Sequence, residues 1–330
     1  MRNRRRLGIV AIVAACVITW IAWQFRPPPE PPALPADFHA DRAAWMGVTW
    51  AMDPHADAEV EALAAALRAH GITYGFFYLS YLRADDTFNP TWEHAAAFVA
   101  RLRTAAPEVA LLAWVGIPIQ ATTPAGTYLD NRLAHPDVRE QIATFAVRAV
   151  SEFDFDGVHL NAELIRDGDA AYLALLDTVR AALPPDATLS AAVHALRLDE
   201  HATVIPYPAF DFHLSPGYAR EIAARVDQVA VMTYDSGLFF PVDYRAWMAY
   251  QVRRVAAALA DTDAHILIGV PASEEWTLSH HVMAEYPANA LAGLREGLTA
   301  SEAPGAIDGI AVYPYWEVSD GEWAVIDALP

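Results

Sequence analysis

The chain has 330 residues, 55% of them hydrophobic and 19% charged, with a formal net charge of −19. That is ample material for one large core and argues against extensive disorder, while so acidic a body repels phosphate backbones and excludes nucleic acid as a partner. A single cysteine, Cys16, rules out a disulfide framework and any CxxC metal site.

In chain order, Arg2, Arg4, Arg5 and Arg6 form a basic head, followed by an uncharged run over 7–25 that ends at Arg26. At about 1.5 Å per residue such a run just spans a hydrocarbon core of roughly 30 Å. Trp20 and Trp23 stand near its far end, where aromatic rings favour the interface, and the basic head places the N-terminus in the cytoplasm. Residues 1–25 therefore read as a single-pass signal anchor in the cell membrane, with everything after it extracytoplasmic. Two alternatives stay open: Val13-Ala14-Ala15-Cys16 as a lipobox that makes Cys16 a lipidated terminus, and a cleaved signal. Residues 26–37 (RPPPEPPALPAD) read as a Pro-rich linker, a semi-rigid spacer. Residues 38–330 read as one domain.

Within that domain, short apolar runs rich in β-branched and aromatic residues alternate with amphipathic stretches. Runs at 45–52, 72–82, 109–117, 157–163, 188–194, 228–234, 265–270 and 307–313 predict strands. Helical spacing follows at 60–70, from 91 onward, and at 138–152, 170–183, 218–225 and 242–260, with a short helix in the tail. In the first of these, Val60, Leu63, Ala64 and Leu67 fall at i, i+3, i+4 and i+7. About eight such repeats predict an α/β fold of the (β/α)8 TIM-barrel type. An open doubly wound sheet is the alternative, but its Gly-rich first turn is missing. No GxxxxGK[ST], HExxH or GxSxG occurs, so no motif asks for a cofactor or metal.

In a barrel, working residues gather where strands end and βα loops begin. The fourth run reads Gly157-Val158-His159-Leu160-Asn161-Ala162-Glu163, and its period of two sets His159, Asn161 and Glu163 on one face. The apolar face, Val158, Leu160 and Ala162, must meet the helices, so the polar face looks into the barrel. Both faces of such a strand are buried, and a buried carboxylate without purpose or partner costs several kcal/mol. Glu163 is thus a candidate proton donor and acceptor. Smaller candidates are Asp235, which is equally a turn or helix cap, and His194 at the end of the fifth run. Trp50, Trp114 and Trp276 stand near strand ends, where they can stack on sugar rings or simply pack. A metal on His159, Glu163 and His194 has no spacing to support it, and His280-His281 has no third partner.

The segment Asp156-Gly157-Val158-His159-Leu160-Asn161-Ala162-Glu163 resembles the DGxDxDxE signature of family 18 glycoside hydrolases, the chitinases and endo-β-N-acetylglucosaminidases. The stretch Met232-Thr233-Tyr234-Asp235 is similar to the M-x-Y-D ending of that family's sixth strand, and weaker similarity extends over 268–271 and 309–316. The resemblance implies retaining, substrate-assisted hydrolysis, an exception to the two-carboxylate scheme. By position it implies Glu163 as general acid and base, Tyr234 as the contact to the acetamido group, and Tyr313 or Trp316 as the floor of the sugar site. It also sets Asp156, His159, Met232 and Asp235 among the substrate contacts. Two positions depart from the pattern: His159 stands at the middle Asp, and Asn161 at the Asp that steadies the oxazolinium. An Asn two residues before the acid resembles family 85 endo-β-N-acetylglucosaminidases, and its amide oxygen can still accept the acetamido N–H. The resulting expectation is an extracytoplasmic glycan hydrolase with a carbohydrate substrate, no cofactor, and no need of an oligomer. The alternatives are a non-catalytic glycan-binding barrel, a hydrolase of non-acetylated polysaccharide, and a scaffold without ligand.

Overall fold

The computed structural model describes residues 2–28, 30, 32–34, 38, 40–122, 125–203 and 213–330, apart from the side chains of 2–9 and of Tyr128. Its centre is a closed ring of eight parallel strands: β1 (Asp41–Met46), β2 (Tyr74–Tyr81), β3 (Ala110–Pro118), β4 (Gly157–Glu163), β5 (Thr188–His194), β6 (Gln228–Met232), β7 (His265–Pro271) and β8 (Gly309–Tyr313). Each pairs with its sequence neighbours, and β1 closes the ring against β8 through Asp41↔Gly309 and Ala44↔Val312. The helices in chain order are α1 (Arg2–Gln24), α2 (Thr49–Met52), α3 (Asp57–Ala69), α4 (Ala95–Ala105), α5 (Pro136–Ser151), α6 (Ala170–Ala182), α7 (Pro216–Ala223), α8 (Pro241–Leu259), α9 (Pro287–Thr299) and α10 (Asp320–Ile326). The (β/α)8 expectation holds.

Alternation along each strand divides the core in two. Outward side chains such as Ala44, Phe77, Val158, Leu160 and Ile268 meet the helices in one continuous layer. Inward ones fill the ring: Ala43, Trp45, Phe76, Leu112, Ala192, Ala230, Leu267 and Ala311, small beside large, as the limited width of an eight-stranded barrel demands.

The first strand corrects the expected boundary. It lies at Asp41–Met46, and residues of the run 45–52 beyond Gly47 turn instead into the short helix α2, carrying Trp50 away from the barrel wall. The helix expected at 218–225 begins at Pro216, because Ser215 caps it, accepting from the Tyr218 N–H at 3.3 Å.

α1 is one continuous helix whose last turn rests on α8: Gln24 is buried, and the Arg26 carbonyl accepts from Arg245 at 3.3 Å. Among the described residues no helix is long and apolar enough to cross a membrane. The side chains of 7–9 in the span expected over 7–25, and part of the linker expected over 26–37, lie outside what is described.

The foot of the ring repeats one device. Thr73, Asp156, Asp227 and Asp308 each immediately precede an even-numbered strand. Their side chains accept from the backbone N–H of Arg42, Leu111, Leu189 and Ile266 on the odd-numbered neighbours, at 3.2, 2.8, 2.7 and 2.7 Å. Asp156 and Asp227 are further tied to Arg103 (2.8 Å) and Arg180 (2.9 Å). Asp156 is therefore a brace at the N-terminal end of β4, a strand's length from Glu163, and not the substrate contact expected of it. Polar residues at this end of a barrel serve stability.

Beside that brace, a Cβ on Gly157 would fall 2.0 Å from the Thr188 carbonyl oxygen, which is backbone and cannot yield. Gly157→Ala should cost about 2 kcal/mol or more through overpacking. Gly305→Ala, where nothing lies within 4 Å, should stay within about 0.5 kcal/mol. Urea denaturation of the two variants checks the contrast.

Candidate active site

At the C-terminal mouth of the ring is a cavity of about 440 Å3, within the usual range of roughly 300–1,000 Å3 for small-molecule sites. Its wall includes Trp45, Trp114, Asn161, Glu163, His194, Met232, Tyr234, Asp235 and Tyr313. A second hollow of about 280 Å3 adjoins it and shares Tyr234, Asp235, Ser279 and Tyr313. Together they form one cleft across the ends of β6, β7 and β8.

The cavity floor is held by a directed chain of hydrogen bonds. Trp45 Nε1 donates to His159 Nε2 (3.0 Å), leaving the ring proton on Nδ1, which faces Ser190 Oγ at 2.8 Å. Ser190 in turn donates to Gln228 Oε1 at 2.8 Å. His159 is fully buried and stacks on Phe76 with ring centroids 3.8 Å apart. Burial pushes its pKa down to about 3, so the ring is neutral. Contrary to expectation, His159 lies beneath the cavity rather than on its wall. Both its nitrogens are engaged, so it cannot join Glu163 and His194 around a metal.

Above the floor, Trp45 meets Tyr234 and Tyr313 edge-on, at 6.2 and 5.9 Å, and those two rings stack at 5.2 Å. Glu163 keeps one side open to the cavity while the wall crowds the rest. Its pKa is raised, chiefly by desolvation and further by the charge of Asp235, against a hydrogen bond from Asn161. Because the Asn161 amide donates to that carboxylate, its Oδ1 is the atom left over. Asn161 Oδ1 and Trp114 Nε1 are buried and have no hydrogen-bond partner among the described residues. An acceptor and a donor left open on a cavity wall are groups that water or a polar ligand can satisfy. Burial, with the neighbouring Tyr313, Asp235 and Glu163, raises Tyr234 well above the phenol range, so its hydroxyl remains a donor. His194 lines the cavity with its pKa pushed down to about 4 by burial and by His213.

Asp235 leaves β6 with φ of +55°, and a buried bracket holds that turn. Glu285 accepts from the backbone N–H of Asp235 (2.7 Å) and Ser236 (2.9 Å), from Ser236 Oγ (2.6 Å), and faces His280 Nδ1 at 3.1 Å. His280 Nε2 faces the Ser273 carbonyl at 3.1 Å. With an acceptor at each nitrogen, the pKa of the ring is raised although burial opposes this. Asp235, His280 and Glu285 have ligand-type atoms within 4.8 Å of one another. The Glu285 and His280 atoms are engaged in the bracket itself, which clamps the turn.

Of the expected site residues, Asn161, Glu163, His194, Met232, Tyr234, Asp235, Trp114 and Tyr313 come together on the wall. Asp156 and His159 do not. Trp50 packs on Phe98 (5.5 Å), away from the cavity, and Trp316 stands half-exposed beside Tyr313 at 6.0 Å. Trp45, His213 and Trp247 line the cavity without having been expected there. Trp45 is masked by the expected start of the first strand at 45, and His213 lies in a stretch of sequence with no periodicity to fix its direction.

No protein-family model and no curated protein matches this sequence. Solved structures do. The spore cortex-lytic enzyme SleL of Bacillus cereus aligns over 87% of this chain and 73% of its own, at 12% identity and a TM-score of 0.59. A family 18 N-acetylglucosaminidase from Paenibacillus barengoltzii (88% and 99% covered, 15% identity, TM-score 0.55) and a family 18 chitinase from Cycas revoluta (88% and 99%, 14%, 0.55) align as well. The fold is that of the family 18 glycoside hydrolases.

The low pKa of His159 makes a signed prediction. Its unfolded form takes a proton near pH 6.5 and its folded form only near 3, so its stabilisation is whole above about 6.5 and is lost as pH falls through that window. The stability gap between wild type and His159→Gln should narrow by about 3 kcal/mol between pH 7.5 and 4.5. Urea titrations at both pH values measure it, and parallel pH dependences would mean that water reaches the ring.

Proposed function

We propose that this protein is a chitinase-like glycoside hydrolase that cleaves a glycan containing N-acetylhexosamine with retention, the substrate's own acetamido group serving as nucleophile. The observation that carries this reading is Glu163, a carboxyl with raised pKa on the cavity wall, flanked by the free acceptor of Asn161 and the hydroxyl of Tyr234.

Each role follows from the chemistry of the group. Glu163, protonated, gives its proton to the glycosidic oxygen as the bond to the anomeric carbon breaks. The acetamido carbonyl oxygen attacks that carbon from the opposite face and forms an oxazolinium ion. Tyr234 donates to the acetamido carbonyl, while Asn161 Oδ1 accepts the acetamido N–H and holds the group in line. Glu163, now a carboxylate, takes a proton from the water that opens the ring. Asn161 brings no charge to the oxazolinium, so Asp235 is the nearest fixed negative charge available to steady it. The same neutrality favours a second reading, a glycan-binding barrel without turnover.

The basic head and apolar α1 support an anchored, extracytoplasmic location, with a lipidated Cys16 as the alternative. The acidic body speaks for a neutral carbohydrate and against nucleic acid, and nothing in the mechanism requires more than a monomer.

Glu163→Gln should lower kcat on chitooligosaccharides by about 10^3-fold or more while leaving their binding nearly intact. Wild type should show an alkaline limb in kcat/KM centred above the ordinary carboxylate range, because the acid must start protonated. Binding with no turnover in the wild type would select the second reading. Cleavage confined to glucans lacking the acetamido group would leave a hydrolase but remove the acetamido nucleophile.

A further inference from the structure

Four large apolar side chains on two neighbouring mouth loops face solvent: Phe239 on the β6–α8 loop, and Trp276, Leu278 and Met283 on the β7–α9 loop, each between 49% and 83% exposed. Nothing in the cleavage chemistry uses them. They form one surface: Phe239 and Trp276 both lie against His281, at 5.3 and 5.0 Å, and the Gly237 N–H donates to the Ser279 carbonyl at 2.6 Å, tying the loops together.

That surface runs on into α1. Phe25 stands against Phe239 and Phe240 at 6.2 and 5.5 Å, and Trp20 against Phe240 at 5.2 Å. Beyond this docked end, α1 projects with Val10, Ile12, Val13, Val17, Ile18 and Ile21 exposed around its circumference. A protein partner covers one stripe of a helix, whereas a helix apolar all round calls for cover on every side, as lipid gives. Arg26, stacked on Trp23 at 4.3 Å, follows the aromatic belt as an interfacial residue would.

We propose that the mouth rim formed by Phe239, Trp276, Leu278 and Met283 is a docking surface for the phospholipid bilayer interface, which sets the open end of the barrel beside the membrane that receives α1. The inference rests on the anchored location proposed above, not on the hydrolytic reading. Its driving force is apolar. The chain carries a net charge of −19 and Glu274 and Glu275 stand on the same loop, so anionic headgroups do not attract it and high salt does not release it.

The test uses the full chain carrying Cys16→Ser, which removes the one native thiol, with an environment-sensitive dye attached at Leu278→Cys or, as control, at Asp186→Cys in the α6–β5 loop at the foot of the barrel. Both proteins are reconstituted into phosphatidylcholine vesicles with and without doxyl-labelled lipid. The chain should float with the vesicles, doxyl lipid should quench the label at 278 about twofold or more, and the label at 186 should be unaffected, in low and high salt alike. Flotation with a water-exposed label at 278 overturns the docking and leaves the anchor standing. A label at 278 shielded from water yet not quenched by the lipid overturns it in favour of a second copy of the chain. Failure to float overturns both the anchor and the docking. Absence of hydrolysis bears on the enzyme reading and leaves these outcomes unchanged.

Discussion

Closure of the parallel ring is the constraint from which the rest follows. A strand with two buried faces has no solvent side on which to leave a polar group, so each inward polar residue must find a partner or face the cavity. β4 shows the sequence of solutions along its length. Asp156, just before it, is satisfied by the Leu111 N–H and Arg103. His159 is satisfied by Trp45 and Ser190. Asn161 is half satisfied, and Glu163 opens onto the cavity. Polar demand thus passes from brace to floor to wall within one strand.

The floor also shapes the electrostatics of the acid. Where the resemblance to family 18 sets two carboxylates below the terminal Glu, this chain has a neutral imidazole and a neutral amide. The chain from Trp45 to Gln228 is satisfied in direction at every step except its end, where Gln228 Nε2 has no partner among the described residues. With no charge beneath it, Glu163 owes its raised pKa first to desolvation and only then to Asp235. Proton affinity at Glu163 is therefore governed first by how dry the cavity is.

Much of this was legible in the sequence, for physical reasons that differ by element. The runs at 157–163, 188–194 and 265–270 each follow a stretch of helical spacing and match β4, β5 and β7 to within a residue. The inward face of β4 followed from a period of two and from the cost of burying a carboxylate. β1 was less legible: Asp41-Arg42-Ala43-Ala44 lacks β-branched residues, and its strand state comes from pairing with β2 and β8, which is tertiary information. Trp45 consequently went unrecognised as cavity lining. Asp156 shows the opposite failure, since motif position put it near the substrate while its place before the first residue of the strand put it at the foot. His213 and Glu285 sit in connections, where no periodicity announces direction.

Glu285 shows how a site can depend on a residue no pattern reveals. Asp235 has a backbone conformation that non-glycine residues seldom adopt, and the turn bearing it is held by two N–H groups that converge on a single buried carboxylate. That carboxylate faces His280 Nδ1 at 3.1 Å, and the ring is secured from behind by the Ser273 carbonyl at its Nε2. Burial and the charge of Glu285 raise the Asp235 pKa, and His280, whose Nδ1 lies 3.7 Å from Asp235 Oδ1, opposes them. The stretch of cavity wall that bears Asp235 is therefore held by a residue fifty positions away in sequence. Tyr234, the neighbour of Asp235, is held by the same turn. The clamp thus fixes the Tyr234–Asp235 part of the cavity wall.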